Sequence, residues 1–133
     1  MTSAAQPDLP QGRTQKRILS AGHNAALLRV RNTIIETAGY HVVTTKESDL
    51  LLDLLARQPF DAIVLCSSIP AHIRENIARE VKALKPKMPL VIICSQDEEQ
   101  RFARLADQTV RAEEGVSQPL IEAISRLAGD PED

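Results

Sequence analysis

Two unbroken apolar runs, Ala62–Cys66 (AIVLC) and Leu90–Cys94 (LVIIC), constrain this chain most. A strand with one wet face alternates apolar and polar residues, whereas a strand covered on both faces is apolar throughout. Each run has five residues, which is strand length and far too short to span a bilayer. Both read as central strands of a parallel sheet, and such a sheet needs helices on both faces.

The flanking sequence supplies them. Arg17–Ala21 reads as a short first strand, and Asn24 suits the N-cap of a helix carrying Leu27, Leu28, Ile34, Ile35 and Ala38 on one face. Gly39 suits the position after that helix, where positive φ is cheap. The β-branched segment His41–Thr45 reads as a second strand. Ser48 is a candidate cap for a helix bearing Leu51, Leu52 and Leu55, stopped before Pro59. Asp61–Cys66 is the third strand. A helix over Ala71–Leu84 follows, with Ile73, Ile77, Val81 and Leu84 at helical spacing, ended by Pro86 and Pro89. Leu90–Cys94 is the fourth strand, and Phe102, Leu105 and Ala106 suggest a short helix. Gln108–Ala112 is a weak fifth strand. Ser117 is a candidate cap for a last helix with Leu120, Ile121, Ile124 and Leu127. Five β-α units imply a doubly wound sheet with right-handed crossovers, and ligands of such sheets bind at the carboxyl ends of the strands. Those ends are Gly22-His23-Asn24, Cys66-Ser67-Ser68, Ser95-Gln96 and Ala112-Glu113.

Composition removes several function classes. The 133 residues fit one domain and bury enough surface to fold without a disulfide or structural metal. Polar, Pro- and Gly-bearing residues 1–15 and the segment 129–133 read as disordered tails, leaving one domain over 16–128. Net charge is −2 with both signs interspersed, so direct binding to a phosphate backbone is not expected. Three aromatics leave no stacking platform for single strands. The first twelve residues, MTSAAQPDLPQG, hold no hydrophobic run, so the expectation is no signal peptide and a cytoplasmic location.

Three stretches carry a family likeness: LRVRNTIIETAGYHVVTT from Leu28, QPFDAIVLCSSIP from Gln58 and KPKMPLVIICS from Lys85. They include a Gly-Tyr-x-Val approach to strand two and a Pro-Phe-Asp approach to strand three. In this rhythm of helix, turn and strand the chain resembles the response-regulator receiver domains of two-component signalling, over residues 16–128. The resemblance implies a CheY-like, flavodoxin-like five-stranded sheet in order 2-1-3-4-5. It also implies a phosphorelay pathway, Mg²⁺ as cofactor and an aspartate at the end of strand three as phosphoacceptor. Carried over position by position, the chemistry is missing. The acidic pair falls on Gly22 and His23, and the phosphoacceptor on Cys66. The hydroxyl position is kept as Ser95, while the Lys position falls on Ala112, followed by Glu113. The switch aromatic falls near Thr109, and a short Ser95–Thr109 stretch implies a truncated fourth helix.

Mg²⁺ prefers oxygen ligands, and phosphoryl transfer relies on metal and cation to stabilise charge. The expectation is therefore a degenerate pseudo-receiver, not an enzyme, with Mg²⁺ binding lost. It would act by contact with a protein partner, a second copy of the chain being one candidate. Receivers dock through the face of helix four, strand five and helix five, or through helix one; the truncation favours helix one, Asn24–Ala38. Ser95 reads as a relic or as a hydroxyl that bonds locally, and Arg74, Arg79, Arg101 and Arg104 as solvated helix faces. Alternatives stay open. Cys66 could serve a thiol switch, with His23 as its neighbour, or join His23 and His72 on a transition metal. A disulfide with Cys94 is disfavoured by strand alternation. An enzyme with different chemistry at the strand ends is a further alternative, though no Gly-permissive phosphate loop follows Cys66 and no acid–base pair supports it.

Overall fold

A computed structural model describes residues 15–113 and 115–131. Five strands, β1 (Arg17–Ala21), β2 (His41–Thr45), β3 (Ala62–Leu65), β4 (Leu90–Cys94) and β5 (Gln108–Arg111), form one parallel sheet in order β2-β1-β3-β4-β5. This is the expected flavodoxin-like order. The helices are α1 (Ala25–Thr37), α2 (Ser48–Arg57), α3 (Ala71–Leu84), α4 (Glu99–Phe102) and α5 (Ser117–Ala128). A 3₁₀ turn, Gln96–Glu98, leads into α4, which is only four residues long, as the short stretch before Thr109 implied.

Strand alternation divides the core in two. Leu19, Ile63, Leu65, Leu90 and Ile92 face α2, α3 and Phe102, while Ile18, Val64, Val91 and Ile93 face α1 and α5. Both faces of β3 and β4 are thus dry, which is why their sequences do not alternate.

Local signals explain most boundaries. The Asn24 side chain accepts the Leu27 N–H, capping α1, and Gly39 sits at φ 106 beyond its end. Other expectations need correction. Ser117 is the first residue of α5 rather than its cap, with Val116 before it. Ser48 opens α2 in the same way, and the capping role expected of its side chain lies outside the described residues. Leu84 is 50% exposed, so it does not continue the buried stripe of α3; Arg74 does, at 2% exposure, and is not on a solvated face. Residues 129–131 contact the domain. The Lys16 N–H donates to the Pro131 carbonyl at 2.7 Å, and the buried Tyr40 hydroxyl donates to the Gly129 carbonyl at 2.8 Å. The tail expected over residues 1–15 otherwise lies outside the described residues, apart from Gln15, which donates to the Gly39 carbonyl. No described helix is long and apolar enough to cross a membrane.

Candidate functional site at the carboxyl ends of the strands

Parallel strands bring Gly22, Cys66, Ser95 and Ala112 to one edge of the sheet. β1 and β3 pair through Ala21 and Leu65, and the Cys66 N–H donates to the Ala21 carbonyl at 2.8 Å. The two strand ends are packed so closely that Gly22 has no room for a side chain. A Cβ there would lie 2.9 Å from the Cys66 Cβ and 3.2 Å from both Leu28 Cδ1 and Ser68 Oγ. Glycine is thus required by proximity, and any acidic residue at this position would need the strand ends to part.

Ser68 closes the same corner. Its hydroxyl accepts the N–H groups of His23 and Asn24, at 2.9 and 3.1 Å, tying the β1–α1 loop to the β3–α3 loop. The His23 side chain itself is exposed. Cys66 is 1% exposed, and its sulfur accepts from Nη1 of Arg31 at 3.2 Å. Arg31, from the middle of α1, is 5% exposed, and this is the one hydrogen bond of its side chain among the described residues. No sequence signal for function pointed to it; in the structure it shares the buried stripe of α1 with Leu28 and Ile35.

The β4 and β5 ends are organised differently. Ser95 forms a capping box: its hydroxyl accepts the Glu98 N–H, and its own N–H donates to the Glu98 carboxylate. The expected local bonding of this hydroxyl is therefore what the fold uses it for. Glu98 in turn receives both N–H bonds of Arg74 Nη2, at 2.9 and 3.0 Å. Arg74 also donates to the carbonyls of Ile69 and Ile93 at 2.8 Å, and its guanidinium lies 4.7 Å from the Phe102 ring centre. Burial raises the Glu98 carboxyl, but the Ser95 N–H, the Arg74 guanidinium and the Ser95 hydroxyl together outweigh it and hold the group below its ordinary 4.5. Ala112 brings no polar side chain; its N–H continues the sheet by donating to the Cys94 carbonyl. Glu113 beside it accepts the Gln96 N–H at 2.9 and 3.2 Å. Thr109 donates to Glu99, which Arg111 also binds and holds below the usual carboxylate value.

Both cysteines are free thiols. Cys94 lies in the α2–α3 side of the core, and burial, with Glu99 nearby, pushes its thiol up to about 11. No group of three His, Cys, Asp or Glu side chains among the described residues is placed to hold a metal, so His23, Cys66 and His72 are not assembled as a ligand set. The donors at the edge also do not fit a hard divalent cation. Gly22 offers no side chain, and the sulfur of Cys66 already faces a guanidinium, which repels a second cation.

The backbone has well-matched counterparts among solved structures. A response-regulator receiver domain protein from Clostridium thermocellum superposes with a TM-score of 0.76 at 20% identity, covering 85% of this chain and 94% of its own. The receiver domain of a sensor histidine kinase from Pseudomonas aeruginosa, which holds magnesium in its active-site cleft, gives 0.75 at 17% identity, covering 87% and 99%. A chemotaxis response regulator of Vibrio cholerae gives 0.72 at 16% identity, covering 86% and 99%. No protein-family model and no curated protein sequence matches the chain. The likeness establishes the receiver fold.

Proposed function

We propose that this chain is a receiver-fold signalling module that works by protein–protein contact and neither binds Mg²⁺ nor accepts a phosphoryl group. One observation carries the reading: the corner where the receiver resemblance places the acidic pair and the phosphoacceptor is filled by Gly22 against Cys66, with the Arg31 guanidinium on the sulfur. A receiver's metal site gathers oxygens around a cation. Here the chain supplies its own cation and no carboxylate. The expected partner is a protein, either a second copy of this chain or another component of a two-component or phosphorelay pathway. Contact with nucleic acid would be indirect, catalysis is not part of the role, and the expected location is the cytoplasm. The intact α1, with exposed Val30, offers one docking face.

The test is incubation of the 133-residue chain with acetyl phosphate and Mg²⁺, followed by intact mass measurement. An unchanged mass supports the reading, and a stable gain of one phosphoryl group overturns it.

The Arg31 contact also favours a second reading, a thiol switch at Cys66. A cationic neighbour is typical of reactive thiols, whereas 1% exposure is typical of inert ones. Peroxide treatment separates the two. Oxidation of Cys66 ahead of Cys94 supports the switch, and an unmodified Cys66 removes it.

A further inference from the structure

The short α4 leaves a groove between its turn and α3, of about 620 Å³. Three arginines line it: Arg79 from α3, and Arg101 and Arg104 from α4 and the following turn. Ala103 and Leu105 supply apolar surface. The only carboxylate in the lining is Glu75, and it is shared. Arg101 Nη2 donates to one of its oxygens at 3.0 Å and Arg79 Nη2 contacts the other at 3.4 Å. The Arg101 hydrogen bond, ahead of the Arg79 contribution, holds Glu75 below its ordinary value, so it is ionised at neutral pH. Three guanidiniums against one carboxylate leave a surplus of two positive charges in a chain whose net charge is −2. Arg104 has no ion pair or hydrogen bond among the described residues. Arg79 and Arg101 stay 60% and 44% exposed at the side chain, so their remaining donors face solvent.

From this geometry we infer that the α3–α4 groove docks an acidic segment of a partner protein. Glu75 shows in cis what the groove accepts, a carboxylate held between two guanidiniums. The planar fork of arginine is suited to a second carboxylate in the same manner. Ala103 and Leu105 give apolar neighbours of the acidic residues something to cover. A nucleic acid is a poorer occupant, because the rest of the surface is net acidic and the groove has no aromatic side chain in its lining. The groove rests on the interaction reading above, but it does not involve Cys66, Gly22 or Arg31.

The experiment uses the full chain and a fluorescein-labelled oligoglutamate peptide, with anisotropy for affinity and amide chemical shifts for location. Saturable binding is expected, with shifts confined to residues 75–79 and 100–105 and an affinity that falls as salt rises. Arg79→Glu with Arg104→Glu should weaken binding at least about tenfold while lowering the melting temperature only slightly, since neither side chain is buried and the Arg79–Glu75 pair is exposed. Lys85→Glu with Lys87→Glu, an equal charge change elsewhere, should leave it nearly unchanged. Equal losses from both pairs would overturn the inference in favour of bulk charge. Tighter binding of inorganic phosphate at the same residues, or of a single-stranded DNA oligonucleotide, would also overturn it, as would no binding at all. These outcomes are independent of the phosphodonor test. A phosphorylatable site would not abolish peptide binding, and an empty groove would leave the chain unphosphorylated all the same.

Discussion

Two arginines lie on the buried stripes of two helices and do different things. Arg31 in α1 precedes Ile35 by four residues and follows Leu28 by three; Arg74 in α3 precedes Ile77 by three and Val81 by seven. Each therefore lies on an apolar stripe and points into the protein. Arg74 arrives among acceptors. Two carbonyls, a carboxylate and an aromatic face satisfy it, and in doing so it fastens α3 to the 3₁₀ turn after β4. Arg31 arrives at a sulfur, a weak acceptor, and no carboxylate among the described residues pairs with it. The contrast divides the strand edge into two halves. The β4–β5 half is a saturated polar network that holds a loop in place. The β1–β3 half is a steric plug with a cation on it, built where the receiver resemblance puts the chemistry.

Removing each arginine should break this contrast apart. Arg74→Met strands the carboxylate of Glu98 and two buried carbonyls, and should cost about 3–5 kcal/mol in urea unfolding. Gly22→Ala comes next. The added carbon meets the Cys66 Cβ, which is no flexible chain end, so a loss of about 1–3 kcal/mol is expected in the same assay. Acid should loosen the β4–β5 half more gently. Glu98 is more acidic folded than unfolded, so its contribution is complete above the unfolded value of 4.5 and is lost as pH falls through the lower folded value. Stability measured from pH 6 downward should decline below about 4.5 in the native chain, and this Glu98 share should vanish in Glu98→Gln. The smallest effect belongs to Arg31→Met. It removes one weak hydrogen bond together with a buried charge, and a well-packed apolar replacement should change stability by no more than about 1 kcal/mol. A loss as large as that of Arg74→Met would mean that Arg31 is held by an anion and that the two halves are alike.

The fold was legible because its signals are local and redundant. Asn24, Gly39, Pro59 and Pro86 punctuate the helices, and the two unbroken apolar runs declare a sheet covered on both faces. Ser117 misled because a hydroxyl suits the first turn as well as the cap, and only backbone geometry separates the two positions. The positions of the edge residues were equally readable, since strand ends follow from strand assignments. Their packing was not. That Gly22 touches Cys66 is a fact of strand pairing between residues 44 apart in the chain. Arg74 is the exception to reading charge as exposure. At Arg74 the stripe spacing Arg74, Ile77, Val81 outranks the charge, because the far side of the core supplies acceptors from β4 and the 3₁₀ turn. Reading position before residue type would have marked both Arg31 and Arg74 as buried, though not what they meet.

On the reading proposed above, the β1–β3 half of the edge is closed to the metal and to the phosphoryl group. The most direct measurement is an amide chemical-shift titration of the uniformly labelled chain with Mg²⁺ and beryllofluoride, a phosphoryl mimic that needs both the cation and an acceptor carboxylate. No saturable change is expected at Gly22, His23, Cys66, Ser95 or Ala112. Saturable shifts centred on Cys66 and Gly22, present only when Mg²⁺ and beryllofluoride are added together, would contradict it.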